Sequence, residues 1–330
     1  MSDHMEYPQI EPVRNGAHRP FWSVMIPIYN RTQYLERALR SVLQQDPGPG
    51  EMQIEVVDDC STQGNPEEVV NTIGQGRVTY YRQPAHVSMS ANWNTCIERA
   101  RGSWIHILHD DDMVLPEMYA TYRRFIETHP DVMFVFSPVI FIDTLDTWTQ
   151  IVRFNFPHTA SGLVENALME LVKVDFICAS AAVVARAAYV KAGGFSPSLS
   201  YSTDWEMWMR IACVAPIGYI THPYVLYRDH AGSASRSLAE RGKNIEEIIR
   251  TIETGVRRLS PPLRKEARTL AHRSYSFYSN ILRGQLHASG EHGAALFHAW
   301  WGFKLSPSIR NFLRFIKSGL WCLQWLMVRR

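Results

Sequence analysis

Three consecutive carboxylates stand in the segment ILHDDDMVLP, which covers residues 107–116 and begins with a strand-like apolar run. Neighbouring carboxylates about 4 Å apart repel each other by roughly 4 kcal/mol at the effective dielectric near a protein surface. A chain that places Asp110, Asp111 and Asp112 side by side therefore needs a positive group beside them. The first chemical expectation is a cation held by this triplet.

The elements that position the triplet are indicated by the first half of the sequence, where short apolar runs alternate with helical patterns. This alternation is typical of βαβ units and a mostly parallel sheet. Strands are predicted at residues 21–28, 53–57, 78–81 and 103–108, then at 133–142 and 147–154, and helices at 90–100 and 116–128. Another helix is predicted after the first strand, where Asn30 and Gln33 have the spacing of a capping box.

Polar side chains follow three of these predicted strands at the point where each strand ends. Tyr29 and Asn30 follow the first strand, Asp58 and Asp59 follow the second, and the triplet follows the fourth. Ligands of open parallel sheets bind beyond the carboxyl ends of the strands. We therefore expect one cleft that is lined by all three groups.

Composition and missing motifs exclude several classes of protein. No G-x-G-x-x-G or G-x-x-x-x-G-K-S/T loop follows the first strand, which argues against a dinucleotide oxidoreductase and a P-loop ATPase. The five cysteines are scattered without a C-x-x-C pair, so the pattern indicates neither a disulfide framework nor a thiolate zinc site and favours a reducing cytoplasm. No uncharged apolar run reaches about 18 residues, so a membrane-spanning helix is not expected.

Five segments in a fixed order resemble family 2 glycosyltransferases of the GT-A fold. They are PIYN at 27–30, VVDDCST at 56–62, HDDDMVLP at 109–116, GGF at 193–195 followed by TDWEMWMR at 203–210, and YRDHAGSAS at 227–235. The resemblance covers residues 20–240. It implies an α/β fold with a Rossmann-like, mostly parallel sheet, and an inverting transfer of a sugar from a nucleoside-diphosphate sugar to an acceptor hydroxyl.

The resemblance also implies which residues would hold the nucleotide. Carried over position by position, Pro27, Tyr29, Asn30 and Asp59 would line the nucleoside pocket, with Tyr29 offering a stacking face and Asp59 accepting from a base N–H. Asp110 would reach the ribose. The implied donor is of the UDP or dTDP type, and the enzyme would be a hexosyl- or deoxyhexosyltransferase.

For the reaction itself, the resemblance implies a metal ion and a base. Asp111 would bind Mn²⁺ or Mg²⁺, and His230 would lie close to the metal or the diphosphate with Arg228 or Ser233 assisting. Hard cations of this kind bind through carboxylate and phosphate oxygens and would neutralise the leaving diphosphate. Asp204 would be the general base, a role that contributes on the order of 10²- to 10⁴-fold. The positive end of a helix dipole near Asp204 would keep it ionised.

One departure from the family pattern leaves the metal ligands open. When Pro116 is aligned with the proline of the family, His109 takes the first position of the usual D-x-D. Asp111 is thus the expected ligand, while His109 and His230 are alternatives for a second contact. Asp112 is expected to cap a helix or to support its neighbours rather than to bind.

Several of these residues also fit a purely structural role. The triplet could cap the helix that is predicted from Pro116, because aspartate is favoured at helix N-caps. Asp58 and Asp59 could form a turn before the CST segment, Asp204 could cap its own helix, and His230 could be a loop histidine. Core packing is the favoured role of the two tryptophans in TDWEMWMR.

The last ninety residues are strongly basic. Residues 241–330 hold 16 Lys and Arg against 5 Glu and no Asp, and helices are predicted at 243–259, 262–287, 293–304 and after Pro307. In the last helix Arg310, Arg314 and Lys317 alternate with apolar and aromatic side chains. This pattern is typical of a helix that binds the surface of an anionic membrane, although packing on the catalytic domain or on a second subunit has equal weight.

These patterns predict three regions and one leading function. The regions are a loose leader at 1–19, a GT-A domain at 20–239 and a basic helical region at 240–330. The function is synthesis of a surface polysaccharide or glycolipid in the cytoplasm, or at the inner face of the membrane, with a saccharide or lipid-linked saccharide as acceptor. The alternatives are a nucleotidyltransferase and a non-catalytic saccharide-binding relative. Nucleic acid is not an expected partner, since no recognised nucleic-acid-binding fold accompanies the basic residues.

Overall fold

Apolar runs form the strands at the centre of a large sheet. β1 (Trp22–Ile28) and β2 (Met52–Asp58) are buried along their full length, as parallel strands covered on both faces should be. β1 pairs in parallel with β2 on one side and with β4 (Trp104–Ile107) on the other. Because the three strands run in the same direction, their carboxyl ends meet at one edge of the sheet.

The computed structural model describes residues 7–12, 19–152, 160–230, 232–233, 236, 238–239 and 244–328. Within these residues the large sheet has eight strands in the order β3-β2-β1-β4-β10-β6-β11-β9. The strands not yet given are β3 (Thr79–Arg82), β6 (Phe134–Phe136), β9 (Gly162–Leu163), β10 (Ala182–Ala185) and β11 (Ile217–Tyr219). The expected α/β fold with a mostly parallel sheet is confirmed.

A second, smaller sheet has the order β5-β12-β7-β8. Its strands are β5 (Met113–Val114), β7 (Val139–Ile142), β8 (Trp148–Ile151) and β12 (Val225–Arg228). β5 follows the carboxylate triplet directly and pairs antiparallel with β12, so that Met113 lies opposite Leu226. This pairing brings the end of β12 beside the triplet.

The strand predicted at 133–142 is divided between the two sheets. β6 ends at Phe136 and β7 begins at Val139, with Ser137 and Pro138 between them. Proline lacks the N–H that a continuous strand would use, which explains the break. Of the strand predicted at 147–154, residues 148–151 form β8, and residues 153–154 lie outside the described part of the chain.

Helices connect the strands of both sheets. They are α1 (Leu35–Leu43), α2 (Pro66–Gly74), α3 (Met89–Arg99), α4 (Met118–Thr128), α5 (Ala167–Lys173), α6 (Arg186–Ala192) and α7 (Thr203–Ala212). The predicted helices at 90–100 and 116–128 correspond to α3 and α4. α2, α5 and α6, which have seven to nine residues each, were not predicted.

The predicted capping box after β1 is wrong. α1 begins at Leu35, and Tyr34 occupies its N-cap without a side-chain hydrogen bond to the helix. The side-chain oxygen of Asn30 instead accepts the backbone N–H groups of Thr62 (2.7 Å) and Gln63 (3.1 Å), in the loop after β2. The alternative that the carboxylate triplet caps α4 is also wrong, because Glu117 occupies that N-cap.

The chain divides into two compact units. The first contains residues 1–167 and 177–230 and holds both sheets, and the second contains residues 168–176 and 231–330. The second unit is built mainly from α8 (Asn244–Arg258), α9 (Pro261–Ala288), α10 (His292–Leu305) and α11 (Ile309–Val328). The expected C-terminal helical extension is confirmed. Among the described helices, none has the combination of length and apolar character that crossing a bilayer requires.

Candidate functional site

The cation that the triplet requires is present in the structure as the side chain of Arg31. Its guanidinium makes two hydrogen bonds to Asp110, of 2.9 Å from Nε to Oδ2 and 2.7 Å from Nη2 to Oδ1. Nη2 also lies 2.9 Å from Oδ2 of Asp111. Nη1 lies 3.0 Å from Nε2 of His230. Arg31 thus joins the loop after β1 to two carboxylates at the end of β4.

The end of β12 holds the triplet from the other side. Nε2 of His230 lies 2.9 Å from Oδ2 of Asp111. The backbone N–H of Arg228 donates to Oδ1 of Asp112 at 2.8 Å, and its Nε donates to the carbonyl oxygen of Asp111 at 2.9 Å. The Arg228 side chain is buried and also pairs with Asp146 at 2.6 Å. These contacts give Arg228 a positioning role for the triplet.

The three carboxyl groups differ in their proton affinity. Burial raises the pKa of Asp110 to about 6, against the opposing hydrogen bonds from Arg31. Burial also raises the pKa of Asp112 well above its ordinary value, and the neighbouring charge of Asp111 adds to this effect. Burial acts in the same direction on Asp111, but its hydrogen bond with His230 and the charge of Arg31 bring its pKa below the ordinary value. Asp111 therefore carries the most persistent negative charge of the three.

Three side chains at this corner fit a divalent cation. His109, Asp111 and Asp112 each offer one ligand atom, and these atoms lie within 4.8 Å of one another. Burial lowers the pKa of His109, which keeps the ring in the neutral form that binds metals. Two carboxylates and one neutral imidazole suit Mn²⁺ together with substrate oxygens. Asp112 does not cap α4, whose N-cap is Glu117, and it lies in this group of possible ligands while it accepts the backbone N–H of Arg228.

The residues that are expected to hold the nucleoside lie at the ends of β1 and β2. Asp59 is buried, and its carboxylate accepts the backbone N–H of Val87 at 2.7 Å and lies 2.9 Å from Nδ1 of His86. The His86 ring stacks on Tyr29, with ring centroids 4.3 Å apart. Pro27 is buried in β1. Tyr29 and Asp59 thus lie together, as the pattern predicts, with His86 in contact with both.

The neighbouring Asp58 has a structural role. Its buried carboxylate accepts hydrogen bonds from Ser61, from the hydroxyl of Tyr80 at 2.7 Å and from Arg82 at 3.0 Å. These contacts tie the loop after β2 to β3. The turn-forming alternative therefore describes Asp58.

Asp204 lies in the first turn of α7, where Oδ1 accepts the backbone N–H of Trp205 at 2.9 Å. Burial raises the pKa of Tyr227 on β12 well above its ordinary value, and the nearby charges of Cys178, Asp112, Asp111 and Asp204 act in the same direction. The two tryptophans of α7 are buried, as the core-packing alternative predicts.

Residues 23–191 match the family model described as Glycosyl transferase family 2. The chain belongs to this family.

The curated relatives of the chain include a mycobacterial protein and an enterobacterial one. An uncharacterised protein of Mycobacterium tuberculosis is 28% identical over 238 residues, which cover 69% of this chain and 73% of the relative. The putative colanic acid biosynthesis glycosyl transferase WcaA of Escherichia coli is 33% identical over 116 residues. These residues cover 34% of this chain and 41% of WcaA.

The solved structures that share the fold of this family 2 chain include two in complex with nucleotide-sugars. TarS of Staphylococcus aureus in complex with UDP-GlcNAc has a TM-score of 0.60 at 17% identity, covering 90% of this chain and 79% of that chain. A mannosyltransferase of Pyrobaculum calidifontis in complex with GDP-Man and Mn²⁺ has a TM-score of 0.56 at 18% identity, covering 92% and 81%. At these identities the likeness establishes the GT-A fold.

Ser233 is assigned to the second compact unit, whereas the other expected site residues belong to the first. The hydroxyl of Ser233, which was expected to assist at the diphosphate, accepts the backbone N–H of Arg236 at 3.4 Å, and both residues belong to the second unit. Arg31 and His86 were missed by the motif comparison. The position of an arginine directly after PIYN was the sequence signal for Arg31. His86 stands in a segment without apolar periodicity, so no sequence pattern indicated its role.

Proposed function

We propose that this glycosyltransferase is metal-dependent and inverting, and that it transfers a sugar from a nucleoside-diphosphate sugar to an acceptor hydroxyl. The observation that carries the proposal is the group of His109, Asp111 and Asp112 after β4, whose ligand atoms lie within 4.8 Å of one another. This group would hold a divalent ion and the donor diphosphate, and Asp204 in the first turn of α7 would face the acceptor. Family membership favours sugar transfer over the nucleotidyl transfer and the non-catalytic binding that the sequence left open.

The donor would be held by residues at the ends of three strands. Tyr29 would stack on the base and Asp59 would accept its N–H, which fits uracil or thymine, while Asp110 would reach the ribose. His109, Asp111 and Asp112 would hold Mn²⁺ or Mg²⁺. A bound divalent ion supplies positive charge that stabilises a leaving diphosphate. Arg228 would keep the triplet in position through its hydrogen bonds to Asp111 and Asp112.

Asp204 would act as the general base in the transfer step. The acceptor oxygen forms a bond to C1 of the sugar while the bond between C1 and the diphosphate oxygen breaks, and the acceptor proton passes to the Asp204 carboxylate. A carboxylate in the first turn of a helix is kept ionised by the positive end of the helix dipole. Inversion at C1 follows from an attack on the face opposite the leaving group.

A relative of the chain, its cysteines and the charge of α11 support a proposal for the product and for the cellular location. WcaA carries a name that refers to colanic acid biosynthesis, which supports a polysaccharide or glycolipid product for this chain. All five cysteines are free thiols, which supports a reducing cytoplasm. The basic α11 would bind the inner face of an anionic membrane, and a lipid-linked saccharide would then be a suitable acceptor.

The proposed reaction can be tested with the Asp204→Asn variant. Wild-type protein is incubated with a panel of nucleotide-sugars, with Mn²⁺ or with EDTA, and release of the nucleoside diphosphate is measured. We expect release with one donor, loss of release with EDTA, and a drop of at least 10²-fold in Asp204→Asn at nearly unchanged nucleotide affinity. Asp131→Asn, which alters an exposed aspartate, is the matched control. Full turnover by Asp204→Asn would refute the base assignment.

A further inference from the structure

Arg31 occupies the corner where the metal ligands meet. It directly follows Asn30, whose side chain anchors the loop to residues 62 and 63. From this anchored backbone its guanidinium reaches Asp110, Asp111 and His230, at distances of 2.7 to 3.0 Å. About a quarter of the Arg31 side chain stays exposed to solvent. The guanidinium is therefore held by contacts at its tip and has room to move outwards.

The contacts at Oδ2 of Asp111 compete with a bound metal ion. Oδ2 of Asp111 lies 2.9 Å from Nη2 of Arg31 and 2.9 Å from Nε2 of His230. A divalent ion on this carboxylate would stand next to the guanidinium, and two positive groups that share one oxygen repel each other strongly in a buried site. Either the ion or Arg31 can balance Asp111, unless further negative charge arrives with the ion.

His230 reports the same competition through its proton. Nε2 of His230 lies within hydrogen-bonding distance of both Arg31, which can only donate, and Asp111, which accepts. One ring nitrogen cannot accept from Arg31 and donate to Asp111 at the same time. When Arg31 leaves, Nε2–H of His230 is able to donate to Asp111 without a competitor. The corner therefore has two alternative hydrogen-bond arrangements.

We propose that Arg31 is the resident counter-cation of the donor site, and that it moves from Asp110 and Asp111 to the diphosphate of the donor when metal and nucleotide bind together. This inference rests on the proposed function. The guanidinium fork holds Asp110 through Nε and Nη2, and the same fork matches a phosphate, so Arg31 exchanges carboxylates for the diphosphate. Arg31 is thus a positioning residue for the diphosphate, and it couples metal binding to nucleotide binding.

The coupling has a measurable consequence. Without nucleotide, Mn²⁺ must displace Arg31 from the triplet and binds weakly. With a nucleoside diphosphate present, Arg31 gains a new anionic partner and Mn²⁺ binds more tightly. By linkage, Mn²⁺ raises the affinity for the nucleotide by the same factor.

The test measures metal binding rather than turnover. Isothermal titration of Mn²⁺ into wild type, Arg31→Gln and Arg31→Lys is done without nucleotide, and UDP is then titrated at saturating Mn²⁺. We expect Arg31→Gln to bind Mn²⁺ alone on the order of tenfold more tightly than wild type, and to bind UDP with Mn²⁺ more weakly. Arg31→Lys, which keeps the charge and loses the fork, should stay near wild type for Mn²⁺ alone. Arg40→Gln removes an exposed arginine that pairs with Glu36 and is the matched control.

Two results separate this inference from the proposed function. Equal or weaker binding of Mn²⁺ alone by Arg31→Gln, in a variant that melts at the wild-type temperature, would overturn the role of Arg31 as counter-cation. Absence of nucleotide binding in wild type, across UDP, dTDP and GDP, would instead contradict the proposed donor. The nucleotide-free titration still decides the role of Arg31 in that case, because it needs only Mn²⁺.

Discussion

Nε2 of His230 lies 2.9 Å from Oδ2 of Asp111, although 119 positions separate the two residues in the chain. The antiparallel pairing of β5 with β12 produces this contact, because β5 begins one residue after the triplet and His230 follows β12 by two residues. A histidine at the end of one sheet thus controls the charge of a carboxylate at the end of another. The pKa of Asp111 is lowered by this hydrogen bond.

Removal of His230 should weaken donor binding. Hydrogen bonds to charged groups contribute roughly 1.5 to 3 kcal/mol, so His230→Ala is expected to lower the affinity for a Mn²⁺-nucleotide by about 10- to 100-fold. Titration of UDP at saturating Mn²⁺ measures the change. His222→Ala, at an exposed histidine of the same unit, should have no effect. Unchanged affinity in His230→Ala would make His230 an ordinary loop residue.

Asp59 and His86 offer a test of base recognition. His86 uses the same carboxylate and the same face of Tyr29 that the proposed base would use, so base and imidazole compete. His86→Ala should therefore bind UDP several-fold more tightly than wild type. Asp59→Asn, which keeps an acceptor for Val87 and loses the negative charge, should bind UDP at least about tenfold more weakly, as the loss of a charged hydrogen bond costs roughly 1.5 to 3 kcal/mol. Weaker binding by His86→Ala would show that His86 belongs to the base site.

His106 should make stability depend on pH. It lies fully buried on β4, with its ring nitrogens 3.0 Å from the hydroxyl of Tyr119 and 2.8 Å from the carbonyl oxygen of Ser180. Burial lowers its pKa from 6.5 to about 4. The unfolded chain therefore takes up a proton first as the pH falls through 6.5, and the folded state loses up to about 3 kcal/mol by pH 4.

The pH effect of His106 can be isolated with a substitution. Asp110 and Asp112 have raised pKa values and act in the opposite direction, because their folded forms bind protons more readily than their unfolded forms. The difference between wild type and His106→Gln removes these shared contributions. Urea unfolding at pH 7, 6, 5 and 4 should show the wild-type advantage over His106→Gln shrinking as the pH falls. A constant difference would mean that His106 does not titrate in this range.

The strand ends of this fold were predictable, because apolar runs and the polar groups after them are local signals. The parallel pairing of β1 with β2 and β4 then follows from the βαβ alternation. The sequence did not predict the break at Ser137 and Pro138 or the change of sheet that follows it. Both features depend on pairing with strands that are distant in the sequence. Helices α2, α5 and α6 were missed; each has only seven to nine residues, fewer than the roughly 11 to 18 over which a helical period is read from a sequence.

The residues of the candidate site also divide into those that local sequence patterns predicted and those that they did not. The family motifs can be recognised from the sequence alone, by their residue types and their order, and they contain Asp59, Asp110, Asp111 and Asp204. Arg31 and His86 make their contacts with residues that are distant in the sequence. The residues next to them in the sequence therefore did not indicate a role in the site. Asp112 was expected to cap a helix or to support its neighbours, and its contact with the backbone N–H of Arg228 depends on a strand more than a hundred residues further along the chain.

The second unit supplies the last prediction, which concerns membrane binding by α11. Apolar side chains at helical spacing are exposed along this helix, with Ile309 at 82%, Leu313 at 59% and Leu320 at 56%. Arg310, Arg314 and Lys317 border this stripe, and residues 304–330 contain no acidic side chain. An apolar stripe with a cationic border is complementary to an anionic bilayer surface.

Cosedimentation with lipid vesicles tests this surface. Wild type should sediment with vesicles that contain phosphatidylglycerol and stay in solution with pure phosphatidylcholine. Each Lys or Arg near an anionic surface contributes about 1 kcal/mol, so replacing Arg310, Arg314 and Lys317 by glutamine should lower the affinity by about 100-fold. Leu313→Gln combined with Leu320→Gln should weaken binding at every lipid composition, while Leu145→Gln, at an exposed leucine of the first unit, should not. Vesicle-independent dimerisation that Leu313→Gln and Leu320→Gln abolish would instead assign the stripe to a second copy of the chain.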